Sequence, residues 1–188
     1  NYMEQGTVHI GDKVDIADAG FVMLGNIDID KMDQDVNMFD SLPTVFKSSA
    51  LIDRIHGFIE GWEIPRMNEG LKVNGWALNS EYFTTIMHLL REDTSYRAIV
   101  DRIIEYPEDA DTRHTEAIKR LSTAFLKLLF PHVRNVEDVD EREFERYCLR
   151  PARIMRRIIL KQLALIDREY AGKDLPKYTI NIKKNEEN

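Results

Sequence analysis

Beyond Pro65 the apolar residues of this chain recur at helical spacing in segment after segment; before it the pattern is mostly sheet-like. Tyr82, Phe83, Ile86, Met87 and Leu90 share one helical face, with Asn79 or Ser80 placed to cap its start. Ile99, Val100, Ile103 and Ile104 line a second helix, stopped by Pro107. A third carries Ile118, Leu121, Ala124, Phe125, Leu128 and Leu129 and ends before Pro131. Asp140 followed three residues later by Glu143 has the spacing of a capping box, opening a fourth helix through Phe144, Tyr147 and Cys148. Pro151 suits the first turn of a fifth, with Met155, Ile158, Ile159, Leu163 and Ile166 inward and Gly172 as its stop. Tyr178 to Ile182 alternates and predicts a strand leading onward.

The earlier part reads differently. Val8 to Ala17 form two short runs about Gly11-Asp12, the pattern of a β-hairpin. Gly20 to Asn26 is continuously apolar, which predicts a strand buried in a parallel sheet. Asp28 to Asp40 is polar and acidic and predicts a loop. Pro43 opens a helix through Val45, Phe46, Ala50, Leu51 and Ile55, and Ile55 to Trp62 returns to an extended run. The fold class is therefore an α/β fragment with a β-hairpin over residues 1–66, followed by a mainly α-helical domain over 67–188.

Composition narrows the picture. A chain of 188 residues with 43% apolar and 31% charged residues is globular in character. It has no apolar run near the roughly 20 residues of a membrane span and no basic-then-apolar leader. It starts on Asn1, as a piece of a longer polypeptide would. One cysteine, Cys148 in an apolar run, excludes an internal disulfide, reads as a buried thiol and fits a reducing cytoplasm. A net charge of −7 excludes a surface given over wholly to nucleic acid, though arginines gather between Arg150 and Arg157. The five histidines show no ligand spacing, so no metal site is expected. No G-x-x-x-x-G-K-[ST] phosphate loop occurs, and no apolar strand ends in Asp-Glu ahead of Asn26.

Several residues carry two readings. Asn26, polar at the end of an apolar run, can cap the following turn; its amide both donates and accepts. Arg54 closes a helix, where a cation complements the dipole, with Asp53 as a solvated partner. Arg156 and Arg157 read as a solvated or DNA-facing basic face.

The stretches LGNID (24–28), LPTVFKSSALIDRIHGFIEGW (42–62) and RPARIMRRI (150–158) resemble the AAA+ ATPases. Within these they are similar to the Lon-related BrxL family of bacterial BREX phage-defence systems. The resemblance spans nearly the whole chain. It implies the end of an AAA+ core sheet followed by a helical lid, in a ring-forming parent that hydrolyses ATP with Mg²⁺. By it, Asn26 matches sensor 1 and orients the attacking water, and Arg54 matches the finger that reaches a neighbouring subunit's nucleotide. Arg153 matches sensor 2, with Arg150 one turn away as its competitor. The hairpin, through Lys13 and His9, would touch DNA, although Asp12, Asp15 and Asp18 share it. The implied partners are further copies in a homo-oligomeric ring and DNA, with no membrane. No tightly bound cofactor is expected on this chain alone. The rival readings are a piece of an ATP-dependent Lon protease, whose Ser–Lys peptidase domain nothing here resembles, and a non-enzymatic helical interaction or DNA-binding module.

Overall fold

Two strands, β1 (Thr7–Ile10) and β2 (Lys13–Ile16), pair antiparallel with Ile10 opposite Lys13 and Thr7 opposite Ile16, as the two runs about Gly11-Asp12 require. Gly11 turns the chain at φ +61°, a conformation that disfavours any side chain bearing Cβ. The computed structural model describes residues 7–16 and 20–182, apart from the side chains of His9, Ile10 and Val45. The chain forms two compact units: Asn1–Ile55 with Leu160–Lys173, and His56–Ile159 with Asp174–Asn188. Its last long helix contributes residues to both.

In the first unit, the run from Gly20 to Asn26 is not a strand. It is irregular and exposed, Leu24 to 96%. A buried parallel strand needs hydrogen-bonded neighbours on both edges and packed layers on both faces. Among the described residues the sheets are two-stranded and antiparallel, and neither takes up this run. Composition had set the conformation apart from the partners that would stabilise it. The predicted helix from Pro43 is also broken. A 3₁₀ turn over Thr44–Lys47 stops at Ser48, and α1 covers only Ser49–Ile52.

The acidic loop is held by its own pairs. Asp40 accepts from Lys47 and Lys31, each at 3.0 Å, and the two ammonium groups lower its carboxyl pKa. Buried Gln162 clamps the loop further. Its Oε1 accepts from the Met38 amide at 2.8 Å, and its Nε2 donates to the carbonyls of Gln34 (2.9 Å) and Val36 (3.0 Å). A side chain that satisfies three backbone groups does for this loop what a ladder does for a strand. Among the described residues, Met38, Phe39, Ile52, Leu160 and Leu163 are the buried apolar ones here.

The second unit is helical, as the periodicity predicts. α2 (Ser80–Arg91) is capped by the Asn79 side chain, which accepts from the Tyr82 amide at 3.0 Å. α3 (Ser95–Ile103) buries Tyr96, Ile99, Val100 and Ile103 along one stripe. Against it packs α4 (Thr112–Leu129), capped by Asp111, which accepts from the amides of Arg113 and His114. Ile104 leaves the helix to begin β3 (Ile104–Glu105). This pairs antiparallel with β4 (Thr179–Ile180), which lies inside the run from Tyr178 to Ile182 expected to be a strand. The core joins Tyr96, Ile118, Leu126, Val133, Val136, Phe144, Leu149, Ala152 and Tyr178. The Tyr96 hydroxyl is satisfied, donating to the Pro131 carbonyl at 2.9 Å and accepting from Arg134 at 3.0 Å.

The predicted fourth and fifth helices are one. α5 (Glu141–Phe144), capped by Asp140 through the Glu143 amide, passes through a π turn over Glu145–Leu149 into α6 (Arg150–Ile166). The break expected at Pro151 does not occur. A proline inside an α-helix lacks the amide for its i−4 carbonyl and crowds it. The π turn, closed by the Arg150 amide on the Glu145 carbonyl, widens the backbone just before that point. α6 ends at Ile166, and Asp167 caps a following 3₁₀ turn, so the stop comes before Gly172.

Candidate functional site

The arginines of α6 part company once the helix is packed. Arg150 and Arg157 are exposed, Arg153 is half-buried and Arg156 is fully buried. Arg153 forms an ion pair with Glu145 of the π turn, and its Nη1 donates to the Tyr178 carbonyl at 3.4 Å. Arg157 lies 3.4 Å from Asp174.

The solvated face expected for Arg156 is overturned. Arg156 occupies the stripe Ala152, Arg156, Ile159, Leu163, every member of which has 0% exposure. Its Nε donates to Nδ1 of His114 at 2.8 Å, and His114 is itself buried. An arginine can only donate, so this bond needs Nδ1 unprotonated. Asp53 is likewise not a solvated partner of Arg54, being 4% exposed.

Beside this pair runs a chain of charges. Arg97 forks onto both oxygens of Glu116 (3.0 and 2.7 Å) and bonds Asp101 at 2.9 Å. Arg120 reaches Glu116 at 2.6 Å and Nε2 of His56 at 3.3 Å. The Arg97 fork, with Arg120 beside it, holds the Glu116 carboxyl down at about 2. Burial, then the positive charge of Arg120, lowers the His56 pKa. Burial alone pushes the Cys148 thiol up to about 12, as an inert core cysteine should be. A depressed carboxyl adds stability that is present above its unfolded value and lost as pH falls through its folded one. Glu116→Gln should therefore lower the melting temperature at pH 7 by a few degrees, roughly 1 kcal/mol for a half-exposed pair. The gap to the wild type should close as pH falls from about 4.5 towards 2. A gap that stays constant in thermal melts down to pH 2.5 would refute the role of this carboxylate.

In the first unit, Asn26 is exposed at the end of the irregular apolar run. Arg54 is half-buried just past α1, and its Nη1 donates back to the Ala50 carbonyl. Lys13 stands exposed at the hairpin turn, while the His9 side chain lies outside the described residues. Among the described residues no group of three His, Cys, Asp or Glu could hold a metal, and no helix is long and apolar enough to cross a membrane.

The family profile described as Lon-like protease BrxL-like, ATPase domain, matches residues 1–175. The chain belongs to the BrxL-like ATPase family. Among curated relatives, it is 29% identical over 170 residues to the Lon-like protease BrxL of Bacillus cereus (strain H3081.97), covering 88% of this chain and 24% of the relative. To that of Escherichia coli O9:H4 (strain HS) it is 27% identical over 165 residues, covering 87% and 23%. The chain thus spans about a quarter of the length of these BrxL relatives.

Asn26, Arg54, Arg150 and Arg153 all fall inside the region matched to the BrxL-like ATPase domain. Two partners escaped the sequence reading. Glu145 is brought to Arg153 by the π turn, which no residue pattern announces. His114 meets Arg156 across 42 residues of sequence, although Arg156 on an apolar stripe was itself a legible signal.

Proposed function

We propose that this chain is the sensor-and-lid half of a ring-forming AAA+ ATPase core. The parent would couple ATP hydrolysis to remodelling of DNA or protein in phage defence. The observation that carries the reading is the BrxL-like ATPase match over residues 1–175. Asn26 acts as sensor 1, its exposed amide free to orient a water. Arg54 serves the neighbouring subunit's nucleotide. Arg153 is the lid contact to phosphate, and its partly exposed, donor-only fork suits phosphate oxygens. Arg150, exposed one turn earlier, is the weaker candidate. Lys13 at the hairpin turn is the proposed DNA contact.

ATP and Mg²⁺ supply the reacting phosphoryl group and its charge neutralisation when bound. Within this sequence no phosphate loop or Asp-Glu strand end is present to hold them, so the chain's own share is orientation and charge stabilisation. In the full-length protein, Asn26→Ala should leave ATP affinity unchanged and slow hydrolysis by about 100-fold, the scale of losing one donor to a transition state. Turnover at the wild-type rate would return Asn26 to a turn-capping role.

A further inference from the structure

Glu145 and Arg153 are eight residues apart, a separation that does not normally bring two side chains together on an α-helix. At about 100° per residue, eight residues leave them about 80° apart around the axis. The π turn over Glu145–Leu149 absorbs one extra residue, so the pair behaves as though about seven apart and within about 20° of one face. The helix therefore contains a device whose local effect is to aim a carboxylate at this arginine. The second guanidinium nitrogen is taken by the Tyr178 carbonyl at 3.4 Å. Tyr178 is anchored in turn, buried to 2% and with its hydroxyl 3.3 Å from the Thr115 hydroxyl.

We propose that Glu145 is a positioning residue that holds Arg153 in a parked state, competing with nucleotide phosphate for the same guanidinium. The proposal rests on the reading of Arg153 as a phosphate contact. A carboxylate and a phosphate make the same forked, charge-assisted bonds to arginine, so the two cannot both be served fully. The apparent affinity for nucleotide is then reduced by the fraction of molecules in which Arg153 is parked. Arg153 is 26% exposed and Glu145 40%, enough for the pair to open without unfolding the helix.

The test uses the full-length protein and a fluorescent ADP analogue, together with steady-state ATP hydrolysis. Glu145→Gln keeps the shape and removes the charge. It should tighten ADP-analogue binding about fivefold, the upper range for a partly exposed ion pair, and lower KM more than it changes kcat. Glu145→Asp, which keeps the charge on a shorter arm, should fall between. Arg153→Ala should weaken binding by about tenfold, and Glu145→Gln added to it should change nothing further. If Arg153→Ala binds the analogue normally, the phosphate role of Arg153 fails and the proposal with it. If Arg153→Ala weakens binding but Glu145→Gln does not tighten it, only the parked state is refuted. Equal tightening in the Arg153→Ala background would show that Glu145 acts elsewhere and would also overturn it. Glu145→Ala replaces Glu145→Gln where the latter does not assemble.

Discussion

Arg54→Ala in the full-length protein should retain ATP binding and assembly while losing turnover by about 10³-fold or more, the lower end of the range for an arginine finger. The structure sharpens this expectation. Arg54 lies just past α1 and its guanidinium returns to the Ala50 carbonyl, the posture of a helix-end cation. If that posture were its whole role, the substitution would cost only about 0.3–1 kcal/mol of local stability and leave hydrolysis intact. The two roles therefore differ by orders of magnitude in one measurement. Arg54→Lys should rescue poorly, because an ammonium keeps the charge but not the planar fork. Mixing Arg54→Ala subunits with subunits made unable to bind ATP should recover part of the activity. In such mixtures some interfaces pair an intact arginine with an intact nucleotide site. Mixtures as inactive as either parent, or an Arg54→Ala protein with normal turnover, would remove the finger.

The second large effect is expected at Arg156. Arg156→Ala empties a site with no solvent access and strips His114 Nδ1 of its donor. Truncating a large buried side chain costs about 2–5 kcal/mol, and the neutral imidazole nitrogen left without its donor adds about 1–3 kcal/mol. The loss should be read as faster amide exchange in α4 and in the Arg150–Ile159 part of α6. Arg156→Met, which refills the volume without a charge, should lose less. Arg156→Met combined with His114→Phe should recover part of the remainder, since an unpaired buried acceptor is then removed as well. Protection unchanged to within about 1 kcal/mol in Arg156→Ala would mean that this arginine is solvated after all.

Local chemistry carried much of the secondary structure in the sequence itself. Asn79 and Asp140 cap the helices they were expected to cap, and Gly11-Asp12 makes the hairpin. Each depends on atoms within a few residues, so the pattern and the structure report the same interactions. The extended run from Ile55 to Trp62 shows where this ceases. It is not a strand: residues 55–60 are irregular and a 3₁₀ turn over Gly61–Glu63 follows, with the Phe58 amide 3.4 Å from the Met155 carbonyl of α6. Gly57 permits the approach, since a Cβ there would come within 2.9 Å of Met155 Cβ.

For the candidate site, the sequence by itself pointed to Asn26, Arg54, Arg150 and Arg153 through the family resemblance, and all four lie in the matched family region. Tertiary structure decided their surroundings. It left Gly20 to Asn26 exposed, because a strand is stabilised by partners that its own composition does not supply. It fused two helices across Pro151, because a π turn relieves the clash that would have ended one. It buried Arg156, and left Arg150 and Arg157 in solvent, because only the packing of α6 decides which of several neighbouring arginines meets a histidine 42 residues away and which meets water.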